Sequence, residues 1–253
     1  MPNLVTLTSS APIATLALNR AEQRNALSID MLVDFHAALD ELAAKIATDP
    51  NIRVVILTGA GKSFCAGMDL KQVLGEPGAP LRLLTSLAEA TVKLRTLPVV
   101  TIAAVHGAAI GGGCGLTTVC DFAITHADSK MGFPEVDLGV CPAVVAPWLV
   151  RKLGAGKARA MLLRGGLMTG REAFNLGLVT ECVDTRDALD AAVRTLADRL
   201  AAGGGNALRA TKALLNTLDH SADLDIARRS AQVSADVLAT PDAQAMLKAK
   251  LGS

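Results

Sequence analysis

Short apolar runs alternate with polar loops and helical repeats along the first three quarters of the chain; the last quarter carries helical spacing alone. Residues 3–8 and 13–18 alternate weakly on either side of Ser9-Ser10-Ala11-Pro12, a turn signal, and predict a hairpin. Residues 19–27, NRAEQRNAL, are polar and read as a loop. Ser28 is placed to cap a helix whose first turn carries Asp30. Met31, Phe35, Ala38, Leu39, Leu42 and Ile46 then recur at helical spacing until Asp49-Pro50 ends the element. Residues 53–58 predict a buried strand, and Gly59, Gly61 and Gly67 punctuate the loop after it. Residues 81–97 predict a helix stopped by Pro98.

The rest is organised around residues 98–122, PVVTIAAVHGAAIGGGCGLTTVCDF. Residues 99–105 predict a buried strand. His106-Gly107, Ala108-Ala109-Ile110 and the triplet Gly111-Gly112-Gly113 follow, and residues 114–119 fit a short buried helix. A strand that runs through glycine into a helix start brings unpaired backbone N–H groups and the positive end of a helix dipole to one point. Such a point holds negative charge on a ligand or transition state. The alternative is that the glycines only let the helix pack closely on the sheet.

Beyond it, residues 121–125, 130–133 and 178–183 predict strands. Phe133-Pro134-Glu135 is a turn that leaves a carboxylate beside apolar sequence. Pro142 and Pro147 break the apolar stretch 136–153 into short helical pieces. Thr169 and Glu172 form a capping box that opens a helix to Leu176, ended by Gly177. From 187 the pattern is helical: 189–200, 206–218, 224–238 and a last piece to about 250. Strands and helices that alternate up to about 183 imply an α/β core, residues 1–185, with a helical C-terminal region, residues 186–253.

Composition narrows the chemistry. Hydrophobic residues make up 51% of the 253 residues but aromatics only 2%, so Ala, Leu and Val build the core. Lys plus Arg is 25 against 24 Asp plus Glu, with no basic block and no aromatic interleaving, which argues against nucleic acid as a partner. The N-terminus lacks the basic and apolar regions of a secretory signal. Residues 99–119 carry no charged side chain, yet five glycines and a histidine interrupt them, which argues against a membrane span. Cys65, Cys114, Cys120, Cys141 and Cys182 form no C-x-x-C pair and no zinc spacing; they read as reduced core thiols of a cytoplasmic protein, with no metal site. The P-loop, G-x-G-x-x-G and G-x-S-x-G patterns are all missing.

LNRAEQRNALS, VVILTGAGKSFCAGMDLK, VHGAAIGGGCGLTTVCDFAI, MGFPEVDLG and TGREAFNLGLVTECV, in this order and spacing, closely resemble the crotonase family, the enoyl-CoA hydratases and isomerases. The resemblance implies a crotonase-like spiral of ββα units whose helical C-terminal region joins subunits into trimers or dimers of trimers. It implies an acyl-CoA thioester as substrate and no separate cofactor, coenzyme A being part of that substrate. It places two backbone amides on the thioester oxygen, those of Met68 and Gly112, where a glycine lets backbone approach closely. Around them it places substrate-binding positions at Arg24, Ala26, Ala66, Met68, Asp69, Leu70 and Lys71, and at Gly111, Gly112 and Pro134. Asp69 and Lys71 also read as ordinary exposed loop charges.

The acid–base positions depart from the family pattern. Hydratases commonly carry one glutamate two residues after the glycine triplet and another after the later Pro. The later one is Glu135; the earlier position is Gly115. One carboxylate can still shuttle a proton between two carbons, or deprotonate water and return the proton to the α-carbon. Syn-hydration of a 2-enoyl-CoA is therefore the first expectation and 3-enoyl to 2-enoyl isomerisation the second, with a non-catalytic acyl-CoA-binding scaffold as the third. The stretch PEVDLGVCPAVVAPWLVRK resembles the branch that includes methylglutaconyl-CoA hydratases. Trp148 and the run 142–149 fit either the acyl pocket or the core.

Overall fold

The computed structural model describes residues 3–73 and 78–251. In chain order the elements are β1 (Val5–Ser10), β2 (Ile13–Leu18), α1 (Ile29–Thr48), β3 (Val54–Gly59), α2 (Leu70–Val73), α3 (Ala79–Thr96), β4 (Val100–Val105), β5 (Ala108–Ile110), α4 (Gly112–Val119), β6 (Phe122–His126) and β7 (Lys130–Gly132). They continue with α5 (Ala146–Leu153), α6 (Ala155–Arg164), β8 (Leu167–Thr169), α7 (Gly170–Leu176), β9 (Glu181–Val183), α8 (Arg186–Ala201), α9 (Gly205–Leu218), α10 (Leu224–Leu238) and α11 (Pro241–Leu251). This is the α/β architecture with a helical C-terminal region that the hydrophobic pattern predicts.

Six strands form the main sheet in the order β1-β2-β3-β4-β6-β9. The β1–β2 hairpin is antiparallel and the pairings from β2 onward are parallel. Side chains alternate between its two faces. Leu16, Val55, Leu57 and Ala103 join the large core that also holds buried residues of α1 and α3. Val54, Ile102, Ala104 and Ile124 face the other way, into a second cluster with Leu189, Val193, Ala197 and Ala201 of α8. The α1 stripe read from the sequence is buried as expected, and Ser28 Oγ accepts the Met31 N–H at 3.1 Å as the cap.

A second layer of short parallel segments crosses this core and carries the site. β5 pairs with β7 in parallel, Ala109 opposite Met131, and β7 with β8 antiparallel. On the other edge of β5, Cys65 sits opposite Ala109: its N–H donates to the Ala108 carbonyl at 2.9 Å and its carbonyl accepts the Ile110 N–H at 3.0 Å. Beyond that again, Leu27 pairs with Met68. The β5 strand and α6 were not legible as elements: β5 is three residues long, and α6 buries only Ala158 and Met161. The Thr169/Glu172 capping box is present at the start of α7.

The C-terminal helices close over this frame. α10 packs along α3. Lys212 of α9 is buried, donating to the Val99 carbonyl and to Asp121 Oδ2, each at 2.8 Å, while Arg95 bridges Asp121 and Asp219. Among the described residues no helix is long and apolar enough to cross a membrane.

Candidate active site

The parallel register fixes where the loop residues land. Cys65 lies opposite Ala109, so three residues further along each segment Met68 comes alongside Gly112. Ile110 lies opposite Gly132, so the turn after β7 carries Glu135 to the other flank of the glycine triplet. Three neighbouring segments thus end at one place, two bringing backbone and the third a carboxylate.

Glycine is required there by close approach. A Cβ on Gly67 would stand 2.7 Å from the Ile110 carbonyl oxygen, and one on Gly113 would stand 2.4 Å from the Cys65 carbonyl oxygen. Gly111 also has φ +54°, which strains any L side chain. The two loops can abut only because both backbones are bare.

Two amides are left without acceptors by this arrangement. The Leu27–Met68 pairing uses the Gly67 carbonyl and the Asp69 N–H, at 2.7 and 2.9 Å, so the Met68 N–H points away from it. The Gly112 N–H opens α4, where no turn precedes it to supply a carbonyl. Among the described residues neither amide has a hydrogen-bond partner. The helix start makes the second one a better donor to negative charge.

Met68 and Gly112 both line a cavity of about 90 Å³. Ala66, Leu70, Gly111, Pro134 and Glu135 line it as well. Seven of the eleven positions expected from the sequence therefore meet at one cavity. Leu84 and Leu87 of α3, Leu138, Val140, Cys141, Val144, Val145 and, from α10, Ser234 complete its wall. Leu84 and Leu87 have the ordinary spacing of a core helix, and Ser234 shares its buried face with Ala227, Ala231, Ala235 and Leu238, so no sequence signal marks these three; Val144 and Val145 belong to the run 142–149, which the sequence assigns to pocket or core. Trp148 falls in the core, its indole N–H donating to Thr91 Oγ1 at 3.2 Å.

Glu135 is the charged group of this wall. Its Oε2 is buried and has no hydrogen-bond partner. Its carboxyl lies against the glycine triplet: a Cβ on Gly111 would stand 3.0 Å from Oε1. Loss of hydration pushes its pKa up from 4.5 to about 7, against a small opposing pull from its own backbone N–H. An acid with that pKa both takes and gives a proton near neutrality. Cys141 and Cys114, the nearby thiols, are both raised by burial, Cys114 to about 12, so neither supplies a ready thiolate; burial outweighs the helix start beside Cys114.

The remaining four positions form the approach. Arg24 and Lys71 are exposed and Ala26 is half-buried. Asp69 is held by Arg20, which binds it at 2.8 Å and also donates to the Ala26 carbonyl at 3.1 Å. Arg24–Leu27 and Ala66–Asp69 run side by side, the Ala66 N–H donating to the Arg24 carbonyl at 3.0 Å. Asn25 pins both: its buried amide donates to the carbonyls of Ala60, Ser63 and Phe64 and accepts the Arg20 N–H. His106 packs beneath, its Nε2 3.2 Å from the Gly61 carbonyl oxygen.

Comparison with known proteins gives one consistent answer. The family model described as enoyl-CoA hydratase/isomerase matches residues 8–249. Over 215 residues the chain is 34% identical to a crotonyl-CoA hydratase of Syntrophomonas wolfei, covering 84% of this chain and 81% of that one. Over 214 residues it is 33% identical to a peroxisomal Δ(3,5)-Δ(2,4)-dienoyl-CoA isomerase of Arabidopsis thaliana, covering 79% and 76%. In fold it resembles the crystal structure of an enoyl-CoA hydratase from Bacillus halodurans, with a TM-score of 0.87 over 97% of this chain and 99% of that one at 22% identity.

Proposed function

Since the chain belongs to the enoyl-CoA hydratase/isomerase family, we propose that it adds water to a 2-enoyl-CoA through an enolate held by the Met68 and Gly112 amides, with Glu135 moving the proton. The observation that carries this reading is the meeting of two acceptor-less amides and one buried, unpartnered carboxyl oxygen at a single apolar cavity.

The steps follow from that placement. The thioester oxygen accepts from the Met68 and Gly112 N–H groups. The Glu135 carboxylate takes a proton from water as the water oxygen bonds to the β-carbon. The double-bond electrons move onto the thioester oxygen, where the two donors stabilise the growing charge. Each such donor contributes roughly 3 kcal/mol because it acts more strongly on the transition state than on the ground state. The Glu135 carboxyl then returns the proton to the α-carbon as the carbonyl reforms. One group on one face performs both transfers, so water adds syn. No further cofactor enters this scheme.

Isomerisation is the second reading, favoured by a specific observation. Gly115 offers no second acid, and Val145 fills the space next to it. Glu135 alone suffices to take a proton from C2 of a 3-enoyl thioester and return it at C4. In either case the cavity lining has no Lys, Arg or His among the described residues. That favours an uncharged acyl group over a carboxylated one such as methylglutaconyl, whose second charge would be buried unpaired.

Coenzyme A is then held along the paired segments Arg24–Leu27 and Ala66–Asp69. Ala26, Ala66 and Leu70 offer backbone and apolar surface to the pantetheine arm, Pro134 and Gly111 border the thioester, and Arg24 and Lys71 meet the phosphates. Asp69 steadies the loop through Arg20. The exposed Leu214, Leu215 and Leu218 of α9, each more than half open to solvent, support assembly of the 186–253 helices into a trimer or dimer of trimers in the cytoplasm.

The test is a turnover screen of 2-enoyl and 3-enoyl thioesters with wild type and Glu135→Gln. Water addition supports the first reading and double-bond migration the second. A wild type that binds acyl-CoA yet turns over neither class overturns both in favour of a binding scaffold.

A further inference from the structure

The acyl cavity ends on a wall one residue thick. Val140, Cys141 and Pro142 line that cavity on one side, and on the other they line a larger, solvent-open apolar groove of about 1040 Å³ between α5, α6 and α10. The groove is walled chiefly by aliphatic side chains, among them Val150, Leu162, Val233 and Val237, with Arg151, Asp219, His220 and Arg229 also in its lining. Its chemistry suits a hydrocarbon tail.

The wall belongs to no helix or strand. It follows Gly139, whose φ of +72° ends the turn after Glu135, and it precedes α5. Its near end is fixed by the Val140 N–H, which donates to the Glu135 carbonyl at 2.8 Å. Pro142 has no N–H to contribute. The middle is fixed by one side chain that also lines the first cavity: Ser234 Oγ donates to the Cys141 carbonyl at 2.7 Å and accepts the Ala143 N–H at 3.1 Å. Ser234 is buried, with 1% exposure, on a helix face that it shares with Ala227, Ala231, Ala235 and Leu238. A buried hydroxyl that clamps a carbonyl and an amide on either side of a proline holds that peptide stretch in one position, and replacing it with a methyl leaves both groups unpaired.

We infer that Ser234 is a positioning residue that limits acyl-chain length: by clamping Cys141 and Ala143 it keeps the Val140–Pro142 wall closed between the acyl cavity and the larger groove. Short acyl groups fit ahead of the wall. The tail of a longer one reaches the groove only if the wall moves. This rests on the reading of the first cavity as an acyl-thioester site.

Calorimetric titration with butanoyl-CoA and octanoyl-CoA tests it, because saturated esters bind without reacting and the result does not depend on turnover. Wild type is expected to bind butanoyl-CoA at least tenfold more tightly than octanoyl-CoA. Ser234→Ala and Ser234→Cys, which remove or weaken the clamp, are expected to shift that ratio about tenfold toward octanoyl-CoA, the yield of two newly buried methylenes. Ser234→Thr keeps the hydroxyl and is expected to keep the wild-type ratio. Equal affinity of wild type for the two esters overturns the wall, whether or not any variant folds. A wild-type ratio unchanged in the Ala and Cys variants overturns the role of Ser234. Failure of both esters to bind overturns the acyl-thioester reading and the clamp together, whereas binding with the expected ratio but no turnover overturns the proposed reaction alone.

Discussion

Val145 Cγ1 stands 2.5 Å from the point where a side chain at Gly115 would begin. Val145 is β-branched and buried, so it cannot swing aside as the end of a long chain can. The missing first glutamate is therefore matched by a filled space. Gly115→Ala is expected to destabilise the protein by about 1–3 kcal/mol through overpacking. Val145→Ala should relieve most of that loss, a coupling that chemical denaturation of the two single variants and the double variant measures directly. The double variant Gly115→Glu, Val145→Ala should raise the ratio of hydration to isomerisation; a ratio equal to that of wild type would show that the second acid's absence does not set the reaction.

The proposed role of Glu135 makes it govern both activity and its pH dependence. In either proposed reaction it begins as the carboxylate, so kcat/KM should fall on the acid side with an apparent pKa near the value of about 7 that burial gives it. Glu135→Gln should lower turnover by roughly 10²–10⁴-fold and abolish that limb, while acyl-CoA binding persists in calorimetry.

The same burial sets a stability change of opposite sense. The folded protein holds the Glu135 proton more tightly than the unfolded chain, so the stabilisation this gives is complete below pH 4.5 and is lost as pH rises to about 7. The loss is at most on the order of 3 kcal/mol. Glu135→Gln should thus melt above wild type at pH 8, with the advantage shrinking toward pH 4.5. A Tm difference that does not vary across this range would mean that the carboxyl is hydrated in the folded state.

In the proposed mechanism Met68 acts through its amide alone. Met68→Ala should keep kcat within several-fold, since its N–H remains. Met68→Pro removes the N–H without touching the Leu27 pairing, which uses Gly67 and Asp69, and should lower kcat by about 10²–10³-fold. Similar kcat values for the two variants would remove this amide from the oxyanion site.

Arg24 and Lys71 should show their part in KM and in its salt dependence. Lys71→Ala and Arg24→Ala are expected to raise KM for acyl-CoA several-fold at low ionic strength and less at high, as screening predicts. Asp69→Ala breaks the ion pair with Arg20 and should instead lower Tm, because that pair is only 15% exposed on each side. Steady-state kinetics at two salt concentrations, with melting curves, separates the two effects.

Periodicity reveals the elements here when they bury one face. The α1 stripe, the strands β2, β3 and β4 and the α7 capping box were all legible because each repeats a hydrophobic interval or a capping pattern. The three-residue strand β5 has no room for a period. The two loops that carry Met68 and Gly112 were legible through their glycines, and Glu135 through the apolar turn around it. The far wall was legible in part: Val144 and Val145 fall in the run 142–149, whereas Ser234 and Leu84 reach the cavity through helix packing, and their sequence neighbourhoods match those of any core residue. Asp69 looked free because its partner, Arg20, lies 49 residues away in the chain.

Asn25, an uncharged residue, fastens the segments that aim the Met68 donor, through bonds from its side chain to backbone. Neither acid nor salt can loosen such a fastening by altering charge. That brace is untouched while Glu135 gains its proton, so what salt changes in these segments passes through the Arg20–Asp69 ion pair instead.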